Sequence, residues 1–205
     1  MLEERMKLST ELVKSSSSLF AQSVIHGRAE NKSIERPRGL VRFQVFDHRR
    51  LIATIEDRNL FVNAGLPALA ALMGGDTSGE FASAVGFGSS AGAPAVSDTG
   101  LTAPAYYKTL GSHAEDGAGS VTFNWSLGAG DSGAVGITIQ ELGLFANSTT
   151  VVLPGTTQPT PMLARKTISP IVFTSSMSLS GVWTLTFEQL SLPKSQKESR
   201  SGSTD

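Results

Sequence analysis

Val135-Gly136-Ile137-Thr138-Ile139-Gln140-Glu141-Leu142-Gly143-Leu144-Phe145 is the stretch whose reading decides the fold. Val135, Ile137 and Ile139 alternate with Gly136, Thr138 and Gln140, the period of two shown by a strand with one face in a core. A strict continuation would bury Glu141. Instead the apolar pair becomes Leu142 and Leu144, so the phase flips around Glu141-Leu142-Gly143. A flip beside a glycine predicts a β-bulge. Glu141 then sits at the joint and needs a partner, because burying an unpaired carboxylate is costly. The candidate partner is Arg165, in Met162-Leu163-Ala164-Arg165-Lys166. The competing reading leaves Glu141 in solvent, where most acidic side chains lie.

The same period recurs on both sides of that stretch. Val121, Phe123, Trp125 and Leu127 alternate with Thr122, Asn124 and Ser126. Trp183, Leu185 and Phe187 alternate with Thr184 and Thr186, and Met162 to Phe173 is strand-like but broken at Pro170. Upstream, Val41, Phe43 and Val45 alternate with Arg42 and Gln44. Asp47-His48-Arg49-Arg50 turns, and Leu51 to Asp57 returns as the second arm of a hairpin. Phe81 to Phe87 and Ala105 to Leu110 are further strands. Gly88 to Thr102, Gly128 to Gly133 and Asn147 to Pro161 are loops, and His113 to Gly119 is a turn. Leu66, Leu69, Ala70 and Met73 have helical spacing, which predicts a helix over Ala64 to Met73, capped by Asn59 or Asn63 and stopped by Gly74-Gly75. About eight short strands and one helix predict a mainly β chain, an antiparallel β-sandwich or jelly-roll-like body.

The body spans residues 40–192, flanked by an N-terminal arm (1–39) and a polar tail (193–205) that reads as disordered. In the arm, Leu2, Met6, Leu8, Leu12 and Val13 make a short amphipathic stretch. Ser15 to Ser18 interrupt it, and Leu19 to Ile25 resume it, with Phe20 and Ile25 as anchors. Two apolar patches cannot form a core of their own. They predict an arm that docks on a neighbouring subunit, with a flexible terminus as the alternative. Leu2, Met6, Leu12, Phe20 and Ile25 are therefore candidate interface residues. Tyr106 and Tyr107 join them, since they point to opposite faces of one strand, which places one in the core and leaves the other exposed.

Composition narrows the function classes. A net charge of −1 gives no footprint for nucleic acid or an anionic membrane. No cysteine is present, so disulfides and cysteine-based zinc sites are excluded. No apolar run approaches the roughly 20 residues that cross a bilayer, and Met1-Leu2-Glu3-Glu4-Arg5 is not the start of a secretory signal. The 21 glycines and 17% charged residues fit a turn-rich β protein.

Three motifs invite a chemical reading. Gly86-Phe87-Gly88-Ser89-Ser90-Ala91 matches the dinucleotide fingerprint, but Gly92 and Pro94 follow where a helix must begin. Gly130-Asp131-Ser132-Gly133 resembles the nucleophile segment of trypsin-like proteases. That chemistry needs a histidine base, and His26, His48 and His113 lack that family's flanking pattern; a Gly-rich turn with Asp and Ser bonded to their own backbone is the simpler reading. Asp98-Thr99 closes a loop more readily than it forms an acid–nucleophile pair. Arg36, Arg38, Arg49 and Arg50 are diluted by Glu35 and Asp47 and read as a solvated face. No catalytic, cofactor-binding or metal-ligating residue is assigned.

The order of several motifs is familiar. Asn59-Leu60-Phe61-Val62-Asn63-Ala64-Gly65-Leu66 leads into the helix, and Gly86-Phe87-Gly88 precedes Pro94 and Asp98-Thr99-Gly100-Leu101. Glu141-Leu142-Gly143-Leu144-Phe145, Leu163-Ala164-Arg165, Ser169-Pro170-Ile171 and Trp183-Thr184-Leu185-Thr186-Phe187 follow. From Asn59 to Phe187 this resembles small structural proteins of tailed bacteriophages, associated with tail, collar or fibre. The resemblance implies a virion component without enzymatic activity or cofactor, made in the bacterial host cytoplasm. Its partners would be copies of itself and other proteins of the neck, tail, baseplate or fibre. Glu141 and Arg165 would be a structural pair, and the Gly86 to Leu101 loop a surface element for neighbours. The alternatives are a receptor- or carbohydrate-binding fibre module using Tyr106 or Tyr107 with Asp116, a capsid decoration protein, and a hydrolase using Ser132.

Overall fold

The structure, a computed structural model, describes residues 37–76, 78, 80–146 and 151–187. The chain divides between Glu35 and Arg36, and every described residue belongs to the second unit. The arm candidates Leu2, Met6, Leu12, Phe20 and Ile25 lie outside the described residues, as does the tail.

Among the described residues nine strands form one antiparallel sheet: β1 (Arg38–Asp47), β2 (Arg50–Phe61), β3 (Ala82–Gly88), β4 (Pro104–Thr109), β5 (Ser112–Glu115), β6 (Ser120–Leu127), β7 (Thr138–Ala146), β8 (Met162–Val172) and β9 (Met177–Thr186). Their order across the sheet is β4-β3-β7-β8-β2-β1-β9-β6-β5. Among the described residues the one α-helix, α1 (Leu66–Met73), follows a 3-10 turn at Asn63–Gly65.

The β1–β2 hairpin turns on His48 and Arg49, whose φ angles of 45° and 66° match the twist of the flanking strands. β1 buries Val41, Phe43 and Val45 opposite Trp183, Gly181 and Leu179 of β9. β2 is long enough to serve two layers. Up to Asn59 it pairs with β1 alone, and then Leu60 and Phe61 pair with Arg165 and Ala164 of β8. The sheet folds over at that point. β2-β1-β9-β6-β5 forms one layer and β4-β3-β7-β8 the other, giving the mainly β, sandwich-like body that the alternation predicts. The layers meet where Phe87 of β3 packs edge-on against Trp125 of β6, with ring centroids 5.6 Å apart. Phe43 lies 5.5 Å from the same ring. β4 and β5 are the outermost strands, yet only Leu110-Gly111 separates them. The N–H of Leu110 donates to Ser83 of β3 (2.9 Å) and that of Gly111 to Asn124 of β6 (2.8 Å), so the curl nearly closes.

Several expectations need correction. The central strand starts at Thr138, because Val135 and Gly136 are in a turn, Gly136 has φ +90°, and Val135 is exposed. The bulge does not fall at Glu141-Leu142-Gly143, which pairs in register with both neighbours. The ladder slips instead between Ile139 and Glu141, where β8 runs from Ile171 to Thr167, so the extra residues are on β8 around Pro170. The apolar phase breaks because the outer face of β7 is roofed. Leu142 and Leu144 face the main core, while Phe145 packs with Tyr107, Leu101 and Met162 beneath the loops. His113 belongs to β5 and not to a turn; all four β5 residues are exposed, so no alternation announces the strand. Neither Asn caps the helix: Asn59 is inside β2, and the turn begins from Val62 without a side-chain cap. β1 begins at Arg38, inside the stretch expected to be arm. Among the described residues no helix is long and apolar enough to cross a membrane.

Candidate functional site: a buried ion pair beneath the 89–103 loop

β7 supplies Glu141 and β8 supplies Arg165. Gly143 is the residue directly opposite Arg165, so Glu141 stands diagonally across the ladder on the same face. The two side chains are 0% and 2% exposed. Arg165 donates from Nη2 (2.6 Å) and Nε (2.9 Å) to Glu141 Oε2. Its Nη1 reaches Asp98 Oδ2 at 2.8 Å, and Nη2 also reaches the carbonyl of Gly92 at 3.2 Å. Glu141 accepts main-chain N–H bonds from Ala103 (2.7 Å), Thr102 (3.1 Å) and Ser90 (3.4 Å). A buried charge is tolerable only when its lone pairs are taken up in this way.

Asp98 shows the balance. Burial acts against its charge, but the Ala95 N–H at 2.8 Å and the Arg165 guanidinium outweigh it and hold the carboxyl below its ordinary value. Arg165 follows the same logic: burial pulls its pKa down, and bonds and charge from Asp98 and Glu141 carry it above the usual value.

The glycines of the false dinucleotide fingerprint make room for this arrangement. A Cβ at Gly88 would lie 2.5 Å from Glu141 Oε1 and 2.6 Å from the Ala103 carbonyl. One at Gly86 would lie 2.6 Å from the Tyr107 ring. The close approach is to the chain's own groups, and no helix follows.

A second clasp lies beside the first. Gln158 Oε1 accepts from the Tyr107 hydroxyl (2.9 Å) and from the Leu101 N–H (3.2 Å). Tyr107 and Gly155 exchange N–H···O bonds of 2.7 and 3.0 Å. Burial, then the charge of Glu141, pushes the Tyr107 phenol upward. Tyr106 and Tyr107 do point to opposite faces, but both are buried, at 4% and 0% exposure, so the expectation of one exposed interface tyrosine is overturned. The roof over the outer face is the reason.

Sequence reasoning missed a third cluster. Asp131 accepts from the Tyr106 hydroxyl (3.1 Å), Lys108 Nζ (2.7 Å) and the Gly128 N–H (2.8 Å). Burial opposes its ionisation, but these bonds and the Lys108 charge keep its pKa low. Burial, with the Asp131 carboxylate, drives Tyr106 up to about 12. The signal was the i, i+2 spacing of Tyr106 and Lys108, which puts both on one face of β4. Asp131 is thus committed to structure and is not an orienting acid for the exposed Ser132 beside it. His48 Nδ1 lies 3.0 Å from its neighbour Asp47, in the hairpin turn. Asp116 accepts the N–H groups of Ala118 and Ser120, both at 2.8 Å, and closes its own turn; with the two tyrosines buried, the suggested carbohydrate groove is not assembled. Among the described residues no three His, Asp or Glu side chains are grouped to hold a metal ion.

No protein-family model matches the chain, and no curated protein sequence or solved structure matches it.

Proposed function

We propose that this chain is a non-enzymatic structural component of a tailed-phage virion, assembled in several copies at the neck, tail or baseplate, where it anchors a fibre or collar part. The observation that carries the reading is the direction in which the buried charge points. Glu141, Arg165 and Asp98 hold the chain's own 89–103 loop, and Asp131, Lys108 and Tyr106 hold its 128–131 turn. Polar groups that serve chemistry converge on a cleft and aim at a ligand. These groups aim at main chain and at one another, as a rigid building block requires. The motif order from Asn59 to Phe187 supports the same reading. Subunits of such assemblies hold one another through terminal arms and self-complementary surfaces.

The test is deletion of residues 1–36. That cut spares Arg38 and Gly39, which pair with Thr186 and Asn59 in the sheet. The truncated protein keeps the β-type circular dichroism of the parent and is missing from purified particles. Truncated protein at full occupancy in particles removes the role of the arm. Absence of the full-length protein from particles removes the reading itself.

A further inference from the structure

An apolar groove of about 750 Å³ opens where α1 passes the end of the sheet. Leu69 and Leu72 of α1, Phe123 of β6, Leu163 of β8 and Leu185 of β9 line it, with Phe81 at its mouth. Phe81 and Phe187 are 53% and 44% exposed, a large apolar display for one small region. Glu80, Glu115 and His113 stand among the lining residues and give the groove an acidic side.

The chain itself leads to this groove. Thr186 ends β9, and the Phe187 N–H donates to the Gly119 carbonyl at 2.8 Å; both residues line the groove. The sequence continues Glu188-Gln189-Leu190-Ser191-Leu192-Pro193-Lys194-Ser195-Gln196-Lys197. Within residues 188–205, Leu190, Leu192 and Pro193 are the apolar side chains, and every later residue is polar or glycine. Leu190 and Leu192 are three and five residues beyond Phe187, a reach of roughly 10 and 17 Å in extended chain. Their spacing of two puts both on one face of an extended segment. Lys194 and Lys197 follow in the sequence and are opposite in charge to Glu80 and Glu115 of the lining.

We propose that the segment Leu190–Lys194 of the same chain seats in this groove, with both leucines on the α1–sheet floor and Lys194 at the acidic rim. Length, apolar spacing and charge all match this occupant. The groove is then the seat of the chain's own segment, separate from the Glu141–Arg165 clasp.

The chain has no cysteine, so a designed pair reports position without background. In the full-length protein, the Leu72→Cys/Leu190→Cys variant forms an intramolecular disulfide under mild oxidation, read by mass spectrometry after digestion. A control that pairs Leu190→Cys with Thr54→Cys stays reduced. Disulfides between molecules show that the tail crosses to a second copy and overturn the assignment to the same chain. Free, reactive thiols in the test variant overturn the proposal altogether. Independently, Leu190→Ser/Leu192→Ser in the full-length protein raises the fluorescence of an apolar-surface dye several-fold, and a peptide of residues 188–197 reverses it. An unchanged dye signal counts against this seating whatever the thiol result.

Discussion

Glu141 and Arg165 face each other across β7 and β8 with Nη2–Oε2 at 2.6 Å, and between them they bind three loop N–H groups, the Gly92 carbonyl and Asp98. The pair fastens the loop to the sheet as well as β7 to β8. Its worth therefore lies mostly in what is left stranded when one member goes.

Glu141→Ala leaves a buried guanidinium, and Arg165→Ala leaves a buried carboxylate. Each loses about 3–5 kcal/mol, the usual scale for breaking a buried pair. The double variant loses less than the sum, because its second deletion removes a group already stranded. Urea unfolding of the four proteins measures the coupling. Additive losses would show that the two side chains act separately.

Acid should loosen the same body. The folded-state pKa values of Asp98 and Asp131 are both lowered from 3.8. For a lowered carboxyl, the unfolded chain binds more protons, so stability is present above 3.8 and fades as pH falls through the folded values. Thermal melts of the parent drop below about pH 4. Asp131→Asn melts lower than the parent at neutral pH and shows a shallower acid decline. Parallel acid profiles would rule out this carboxylate as a source of the sensitivity.

Tyr106 gives the opposite sign at the alkaline end. Its pKa rises from 10.0 to about 12, so the neutral form is favoured by folding. That contribution is complete below 10.0 and is lost as pH climbs toward about 12. Tyr106→Phe is less steeply destabilised by alkali than the parent. Melting curves across that interval decide it, and equal slopes would assign the alkaline loss to groups other than this phenol.

Gly88→Ala tests the close approach. The added methyl meets both Glu141 Oε1 and the Ala103 carbonyl. Backbone cannot swing aside as a flexible side chain would, so overpacking costs about 1–3 kcal/mol. Faster exchange of the Ala103 and Thr102 amides accompanies it. A variant as stable as the parent would mean that the loop shifts freely.

How far the sequence could be read depended on how many faces of a strand are covered. β1, β6 and β9 bury one face, so Val41/Phe43/Val45, Phe123/Trp125/Leu127 and Leu179/Trp183/Leu185 stand out at period two. β7 is covered on both faces, and the resulting run of buried residues from Glu141 to Ala146 looks like a bulge when only one layer is imagined. The same missing layer is why one of Tyr106 and Tyr107 was expected in solvent, when both are buried. β5 is exposed throughout and gave no pattern at all. Arg165 was traceable as the partner of Glu141 because a carboxylate on a buried strand needs a cation within reach. Asp131 was hidden because its glycine-rich turn has no alternation to mark the carboxylate as buried; its partners on β4 are about as far away in sequence as Arg165 is from Glu141.

The clasp over β7 and β8 grips peptide groups at Ser90, Gly92, Thr102 and Ala103, and Asp98 is the loop side chain it takes hold of through Arg165. Ala91, Ala93, Ala95, Val96 and Ser97 stay exposed on the outside of the loop. Their identity is thus uncoupled from the anchoring, and the outer rim can be substituted while its path over the sheet stays fixed.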